Sequence, residues 1–253
     1  MKAVLLAGGY GTRMREETEF RPKPMVEIGG QPILWHIMKN LEQGGITDFV
    51  IATGYKSEVI NNYFSNHPEW QSLGGVRSDA VAFLGTGDQA GWRVTVAFTG
   101  ESTGTGGRVA QVSDLIEDER FCVTYGDGLA NVSVRDVMDV HEASGCLATL
   151  TATQPTSRFG LMDIDEAGLV THFREKPKMK DWVSIGYFIF DPRVLDYLNA
   201  DCGLEEDGLT RLAMDSQLAA YRHYGFWQPM DTFREYQILQ SLWDSGEAPW
   251  RTW

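Results

Sequence analysis

The run "KAVLLAGG" near the start of the chain is apolar without interruption and stops at glycines. That pattern predicts a fully buried parallel strand feeding a loop. The period then changes. In "QPILWHIMKNLEQGG", Ile33, Leu34, Ile37, Met38 and Leu41 share one helical face, with Pro32 near the start and Gly44-Gly45 at the end. "TDFVIATGY" reads as a second buried strand and "SEVINNYF" as a short helix. Strand and helix in alternation predict a parallel sheet with right-handed crossovers. The alternation continues through "RVTVAF" (93–98, strand), "GRVAQVSDLI" (107–116, helix) and "RFCVTYGDG" (120–128, strand and turn). "SVRDVMDVHEASG" follows as a helix with Ser133 as its N-cap and Gly145 near its end, and "CLATLTAT" as a strand.

Beyond that point the pattern breaks. Residues 155–182 carry prolines and short polar runs, which predict a strand-and-loop insertion across one end of the sheet. "WVSIGYFIF" returns to core-strand character, and "MDTFREYQILQSLWDSG" is a helix whose Thr232 and Glu235 have capping-box spacing. Two glycine-rich stretches remain. Residues 72–92 suggest a mobile loop or hairpin, and residues 99–108 fall at a strand end, where α/β sheets bind ligands. With no repeat and no linker, the expectation is one α/β domain with a Rossmann-like, mostly parallel sheet sandwiched by helices and an inserted lobe.

Composition narrows the partners. The chain has 253 residues, 43% of them apolar, enough for one large domain with a sizeable core. Lys and Arg number 22 against 35 Asp and Glu, a formal charge of -13, which argues against nucleic acid as a partner. Anions would have to be met by a few local cations and backbone amides. Cys122, Cys146 and Cys202 are far apart and form no CxxC, which disfavours a disulfide frame or thiolate zinc site. No apolar run approaches the about 20 residues of a membrane helix, and "AVLLA" is too short for a signal segment, so a cytoplasmic location is expected.

The glycine loop "GGYGTR" fits neither common phosphate motif. Gly9-Tyr10-Gly11 is followed by Thr12, Arg13 and Met14, so the third glycine of a dinucleotide fingerprint is missing, and no Gly-Lys pair supplies a Walker loop. Its chemistry still suits phosphate. Gly8, Gly9 and Gly11 let backbone amides approach an anion, and Arg13 adds a rigid fork of donors. Ten residues on, Lys23 sits between prolines in "PKP", a stiff mount for an ammonium that could stabilise charge at phosphorus. Taken singly, a GGxG is a tight turn and a lysine beside proline is a solvated side chain. Together, behind an N-terminal buried strand, they are more specific.

The string "LAGGYGTR…PKPMVEIGGQPILWHIM" resembles the N-terminal signature of the sugar-nucleotide pyrophosphorylases, or nucleotidylyltransferases, most of all those that join CTP to glucose 1-phosphate. "EET", "TGGR", "TYGDG", "ATLTAT", "RFG", "EKPK", "GFWQPMDT" and "APWRTW" follow in the same order, so the resemblance spans nearly the whole chain, weakest at 66–98 and 177–217. It implies a nucleotide-binding half at 1–152, a sugar-binding lobe with return strands at 153–231, and a C-terminal helix and tail at 232–253. The implied reaction is NTP plus sugar 1-phosphate giving NDP-sugar and pyrophosphate, without a protein nucleophile, and because similar enzymes form homo-oligomers the resemblance implies a homo-oligomer here.

Residue by residue, the resemblance gives Arg13 and Lys23 the catalytic roles. Leu6, Ala7, Gly8, Gly9, Gly11, Thr12, Thr103, Thr105, Gly107, Arg108 and Gly126 join them around the nucleotide, with Arg108 reaching a pyrimidine carbonyl. Asp127 and Asp231 would share a Mg²⁺ ion, in keeping with the one or two carboxylates that magnesium usually takes beside substrate phosphates. Gly160, Glu175, Lys176 and Ser184 would serve the sugar phosphate, with Lys176 on the phosphate itself. Ser184 stands where the subgroup has Asn, and Leu161-Met162 where it has smaller residues, which puts glucose in doubt. GTP or dTTP with another sugar 1-phosphate is the nearest alternative. A nucleotide-sugar sensor without turnover is the alternative of a different class. His36 is assigned to structure.

Overall fold

In the computed structural model, residues 1–14, 18–117 and 119–253 are described, and of Arg13 the backbone alone. Alternate residues of the first strand, β1 (Lys2–Ala7), enter different cores. Ala3, Leu5 and Ala7 join one apolar cluster while Val4 and Leu6 join another. A strand buried on both faces needs this, which is why its sequence shows no polar alternation. The two clusters lie on opposite faces of one mixed sheet, the three-layer arrangement expected from the sequence.

The chain runs from β1 through a small ladder, β2 (Glu27–Ile28) and β3 (Gln31–Pro32), into α1 (Ile33–Gln43), then β4 (Asp48–Thr53) and α2 (Ser57–Asn66). The glycine-rich stretch 72–92 runs through a hairpin of β5 (Trp70–Arg77) and β6 (Ala80–Gly85) and a short helical turn at Gly87–Gln89, followed by β7 (Arg93–Phe98). The helix expected at 107–116 is two pieces, α3 (Thr105–Gln111) and α4 (Ser113–Ile116), interrupted at Val112. Then come β8 (Phe121–Tyr125), β9 (Gly128–Ala130), α5 (Val134–Ser144) and β10 (Ala148–Thr153). Ser133 caps α5 by accepting from the Asp136 amide, and Gly145 ends it at φ +65°.

The insertion is a separate hairpin, β11 (Leu161–Ile164) with β12 (Val170–Arg174), and every residue of both strands is exposed. The chain returns through β13 (Val183–Phe190), α6 (Thr210–Met214), β14 (Leu218–Arg222) and β15 (Trp227–Pro229) to α7 (Phe233–Asp244). Among the described residues the main sheet has the order β14-β10-β13-β8-β1-β4-β7-β6-β5. Strands β8, β1, β4 and β7 are parallel neighbours, whereas β13 runs antiparallel to both β8 and β10. No helix among the described residues is long and apolar enough to cross a membrane.

The C-terminal tail closes over α1. His36 is fully buried, with the rings of Trp243, Trp250 and Trp253 between 4.7 and 6.3 Å from its own. The Trp250 indole donates to His36 Nδ1 at 3.5 Å, so Nε2 carries the proton and donates to the Ile28 carbonyl at 2.8 Å. Burial pulls the imidazole pKa down to about 4, leaving it neutral. Gly29 is required here: at φ +60°, an added Cβ would lie 1.8 Å from the Trp243 ring nitrogen.

Candidate active site

Strand register decides what meets at the carboxyl edge of the sheet. Ala7 pairs with Thr53, Thr53 with Phe98, and Leu6 with Tyr125. Gly8, Gly54, Thr99 and Gly126 therefore leave the sheet side by side. Because β13 is reversed, its beginning, with Ser184, arrives at the same edge. Two clefts open there. One, of about 320 Å³, is lined by Leu6 to Gly11, Lys23, Pro24, the 101–105 turn, Arg108, Tyr125 and Asp127. The other, of about 400 Å³, is lined by Ser184 to Tyr187, Trp227, Pro229, Asp231 and again Tyr125 and Asp127.

Where the clefts meet stands Lys23. Its ammonium donates to Asp127 Oδ2 at 2.7 Å and to Asp231 Oδ1 at 2.5 Å. The carboxylates come from distant segments, brought together by one short ladder. Strand β15 pairs antiparallel with β9, Pro229 opposite Gly128, and the Met230 amide continues the ladder to the Asp127 carbonyl at 2.8 Å. Lys23 begins a short helical turn after Pro22, and Pro24 packs against Gly126, where an added Cβ would lie 3.0 Å from its ring. Burial works against the Lys23 charge, but the two carboxylates outweigh it and hold its pKa above the usual lysine value.

The glycine loop is closed by Thr18, whose hydroxyl donates to the carbonyls of Gly11 (3.0 Å) and Met14 (2.9 Å). Gly11 sits at φ +61°, and an added Cβ would lie 2.7 Å from the Thr18 methyl. Gly9 is exposed at the cleft and Thr12 is exposed beside it. The side chain of Arg13, and Glu16 and Glu17 of "EET", lie outside the described residues.

Arg108 is placed differently from the expectation that gave it a pyrimidine carbonyl. Its side chain is buried, and its guanidinium donates to the carbonyls of Thr53 (2.9 Å), Gly100 (2.8 Å), Gly8 (3.1 Å) and Glu101 (3.3 Å) and to the Thr99 hydroxyl (2.7 Å). It pins the glycine loop to the ends of β4 and β7. Gly8 and Gly54 make room for it, since a Cβ on either would lie 2.1 or 2.7 Å from the guanidinium. Burial lowers the Arg108 pKa, with Tyr10 opposing.

Gly107 also serves packing. Its Cβ would lie 2.2 Å from the Ala200 carbonyl, so the glycine lets α3 abut the 200–203 segment. Thr103 and Thr105 line the first cleft, with the Thr105 hydroxyl accepting from the Leu204 amide at 2.9 Å. Gly126 donates its amide to the Leu6 carbonyl at 3.0 Å.

Of the residues expected at the sugar phosphate, Ser184 lines the second cleft. Glu175 and Lys176 stand on the exposed lobe, 3.6 Å apart, outside the lining of both clefts. Gly160 lies beside them, where a Cβ would be 3.1 Å from Glu175 Oε2 and 2.5 Å from the Phe173 ring. Sequence reasoning passed over Tyr125, Gly186 and Trp227. The signal for Gly186 was a glycine inside an otherwise apolar strand, which marks close approach: at φ +78°, its Cβ would lie 2.1 Å from the Tyr125 ring.

Among the described residues no group of three or more His, Cys, Asp or Glu side chains could hold a metal. The pair Asp127 and Asp231 is a different donor set. Both face one ammonium, so their oxygens are no farther apart than those two hydrogen bonds laid end to end, and a small cation taking further oxygens from substrate phosphates fits them.

The chain matches the nucleotidyl transferase family over residues 2–228. It is 46% identical to the glucose-1-phosphate cytidylyltransferase of Salmonella typhi over 263 aligned residues, covering 100% of both chains. It is 40% identical to a probable glucose-1-phosphate cytidylyltransferase of Bacillus subtilis, again over 100% of both. Among solved structures, a putative glucose-1-phosphate thymidylyltransferase from Bacillus anthracis superposes with a TM-score of 0.69 at 20% identity, covering 96% of this chain and 94% of that one. A UDP-glucose pyrophosphorylase complexed with UDP-glucose gives 0.69 at 17%, covering 97% and 98%. At those identities the structural likeness is one of fold.

Proposed function

Because this chain belongs to the nucleotidyl transferase family, we propose that it condenses CTP with a sugar 1-phosphate, giving CDP-sugar and pyrophosphate. Full-length identity to cytidylyltransferases supports CTP as the nucleotide and glucose 1-phosphate as the first-choice sugar. The observation that carries the reading is the junction of two clefts at Lys23, Asp127 and Asp231. One cleft has the glycine loop and suits a nucleoside triphosphate. The other has Ser184 and Trp227 and suits a sugar. Both reach Asp127, so the two phosphates would meet there.

In this reading a phosphate oxygen of the sugar 1-phosphate attacks the α-phosphorus, and pyrophosphate leaves with the electron pair of the broken P–O bond. Lys23 stands where charge builds on the α-phosphate and stabilises it. The amides of the glycine loop, with Arg13, hold the β- and γ-phosphates. Lys176 receives the sugar phosphate and Glu175 orients the sugar. Holding both substrates in one orientation supplies much of the rate, since two anions must be kept together. Asp127 and Asp231 would hold a divalent cation, Mg²⁺ by the hardness of their oxygens, and when bound it neutralises charge between the phosphates. A cytoplasmic location and a homo-oligomeric state belong to the same reading. The exposed apolar side chains of the β11–β12 hairpin, among them Ile164 and Phe173, support the latter.

The test is a matrix of NTPs against sugar 1-phosphates with Mg²⁺, read by pyrophosphate release. CTP with glucose 1-phosphate or a close relative is expected to dominate. Binding of both ligands without release would show a sensor instead. A Ser184→Asn variant in the same matrix tests the sugar pocket, and an unchanged sugar preference would remove Ser184 from that role.

A further inference from the structure

Glu235 is a buried carboxylate that the proposed chemistry does not use. Its Oε2 accepts the backbone amides of Asp231 and Thr232, both at 2.9 Å, and the Thr232 hydroxyl at 3.1 Å. It therefore holds the backbone from which the Asp231 side chain reaches Lys23. Its other oxygen, Oε1, takes a hydrogen bond and ion pair from Arg158, a residue of the loop that leads into the exposed lobe.

That loop is stitched to the lobe's lysine segment. The Ser157 amide donates to the Pro177 carbonyl at 2.9 Å, and the Met179 amide to the Pro155 carbonyl at 2.9 Å. An isolated β-bridge joins Thr156 to Lys178 between them. Within the loop, the Ser157 hydroxyl donates to the Phe159 carbonyl at 2.8 Å and fixes the turn that aims Arg158. At the far end is Lys176, held at φ +43° directly before Pro177, a conformation that a non-glycine residue adopts only when its surroundings impose it. A continuous path thus runs from Lys176 through the 156–158 backbone and the Arg158–Glu235 pair to the amide of Asp231.

We infer that Arg158, acting through Glu235, is a positioning residue that ties the lobe carrying Lys176 to the helix start carrying Asp231. Resting on the proposed reaction, this gives the two anion-handling ends of the sugar side one shared frame. The Arg158 side chain is 62% exposed while its partner Glu235 is buried. Without Arg158, Glu235 Oε2 keeps the Asp231 and Thr232 amides and the Thr232 hydroxyl, so Arg158→Ala is expected to leave the fold intact.

The experiment compares the parent with Arg158→Ala, Arg158→Lys and Glu235→Gln. Two readouts are taken: steady-state KM for each substrate, and hydrogen exchange at the 231–232 amides in the protein without ligands. Arg158→Ala is expected to raise KM for the sugar 1-phosphate about fivefold or more while CTP KM moves less than about twofold. Exchange should quicken at 231–232 as well as at 156–159. Arg158→Lys should restore part of both effects, and the Arg158→Ala, Glu235→Gln double variant should be no worse than its worse parent. Equal shifts in both KM values, additive effects, or faster exchange confined to 156–159 would overturn the inference. If the parent releases no pyrophosphate, the functional reading fails, and the exchange data still decide whether the linkage exists.

Discussion

Replacing Arg108 by methionine separates a residue that shapes the glycine-loop cleft from one that reads a base. Methionine keeps an apolar stem and removes every donor. The Thr53 carbonyl would still be served by the Thr99 amide and hydroxyl, at 2.9 and 2.7 Å, and the Gly8 carbonyl by the Tyr55 amide at 3.4 Å. The carbonyls of Gly100 and Glu101 would lose the donors that now reach them at 2.8 and 3.3 Å. At about 1–3 kcal/mol for each stranded acceptor, the two together cost about 2–6 kcal/mol. Both bonds are only part-buried, so water replaces some of the lost interaction, and the burial penalty on the guanidinium disappears with it. The expected loss is therefore at the low end, about 2–3 kcal/mol. Urea denaturation followed by tryptophan fluorescence measures it, and KM for CTP should rise in parallel as the glycine loop loses its anchor. Gly8→Ala should give the same pair of effects, because its Cβ would lie 2.1 Å from Arg108 Cζ. A variant as stable as the parent within about 0.5 kcal/mol, with altered preference among pyrimidine nucleotides, would refute the reasoning and return Arg108 to the base.

Lys23→Met should lower kcat for pyrophosphate release by about 10²–10³-fold with the fold retained, measured by steady-state kinetics beside circular dichroism. A loss below tenfold would separate Lys23 from the chemistry. His36 makes stability fall in acid: its folded pKa of about 4 lies below the ordinary 6.5, so the folded state resists the proton that the unfolded chain accepts. Stability is fully present above pH 6.5 and declines towards pH 4 by about 3 kcal/mol from this group. Urea titrations of the parent and His36→Gln across that range measure the slope, and an identical slope in both would remove His36 as its source. Gly186→Ala should cost about 1–3 kcal/mol and weaken binding in both clefts, since the new methyl meets the Tyr125 ring that lines each. Unchanged KM values for both substrates would exclude that coupling.

The elements most visible in the sequence were those whose reasons are local. Continuous apolar runs marked β1, β4 and β8 because both faces of those strands are covered. Ser133 and Gly145 marked the ends of α5, and Thr232 with Glu235 the start of α7, because caps satisfy backbone groups within a few residues. The short strands β9 and β15 carry no period that a sequence could show. They exist because each supplies the other's hydrogen bonds.

The same division runs through the site. The sequence by itself determined which residue types were available: a glycine loop behind a buried strand, a lysine fixed by prolines, and aspartates after "TYG" and "QPM". Their chemistry is a property of the side chains and travels with them. Only tertiary structure decided that Asp127 and Asp231 share one lysine, since the β9–β15 ladder is a pairing between segments far apart in the chain. It also decided that Arg108 turns inward. A guanidinium placed among carbonyls where parallel strands end adds a donor to those of Thr53 and Gly8 and reaches those of Gly100 and Glu101, and these carbonyls converge through strand register, which no local pattern records.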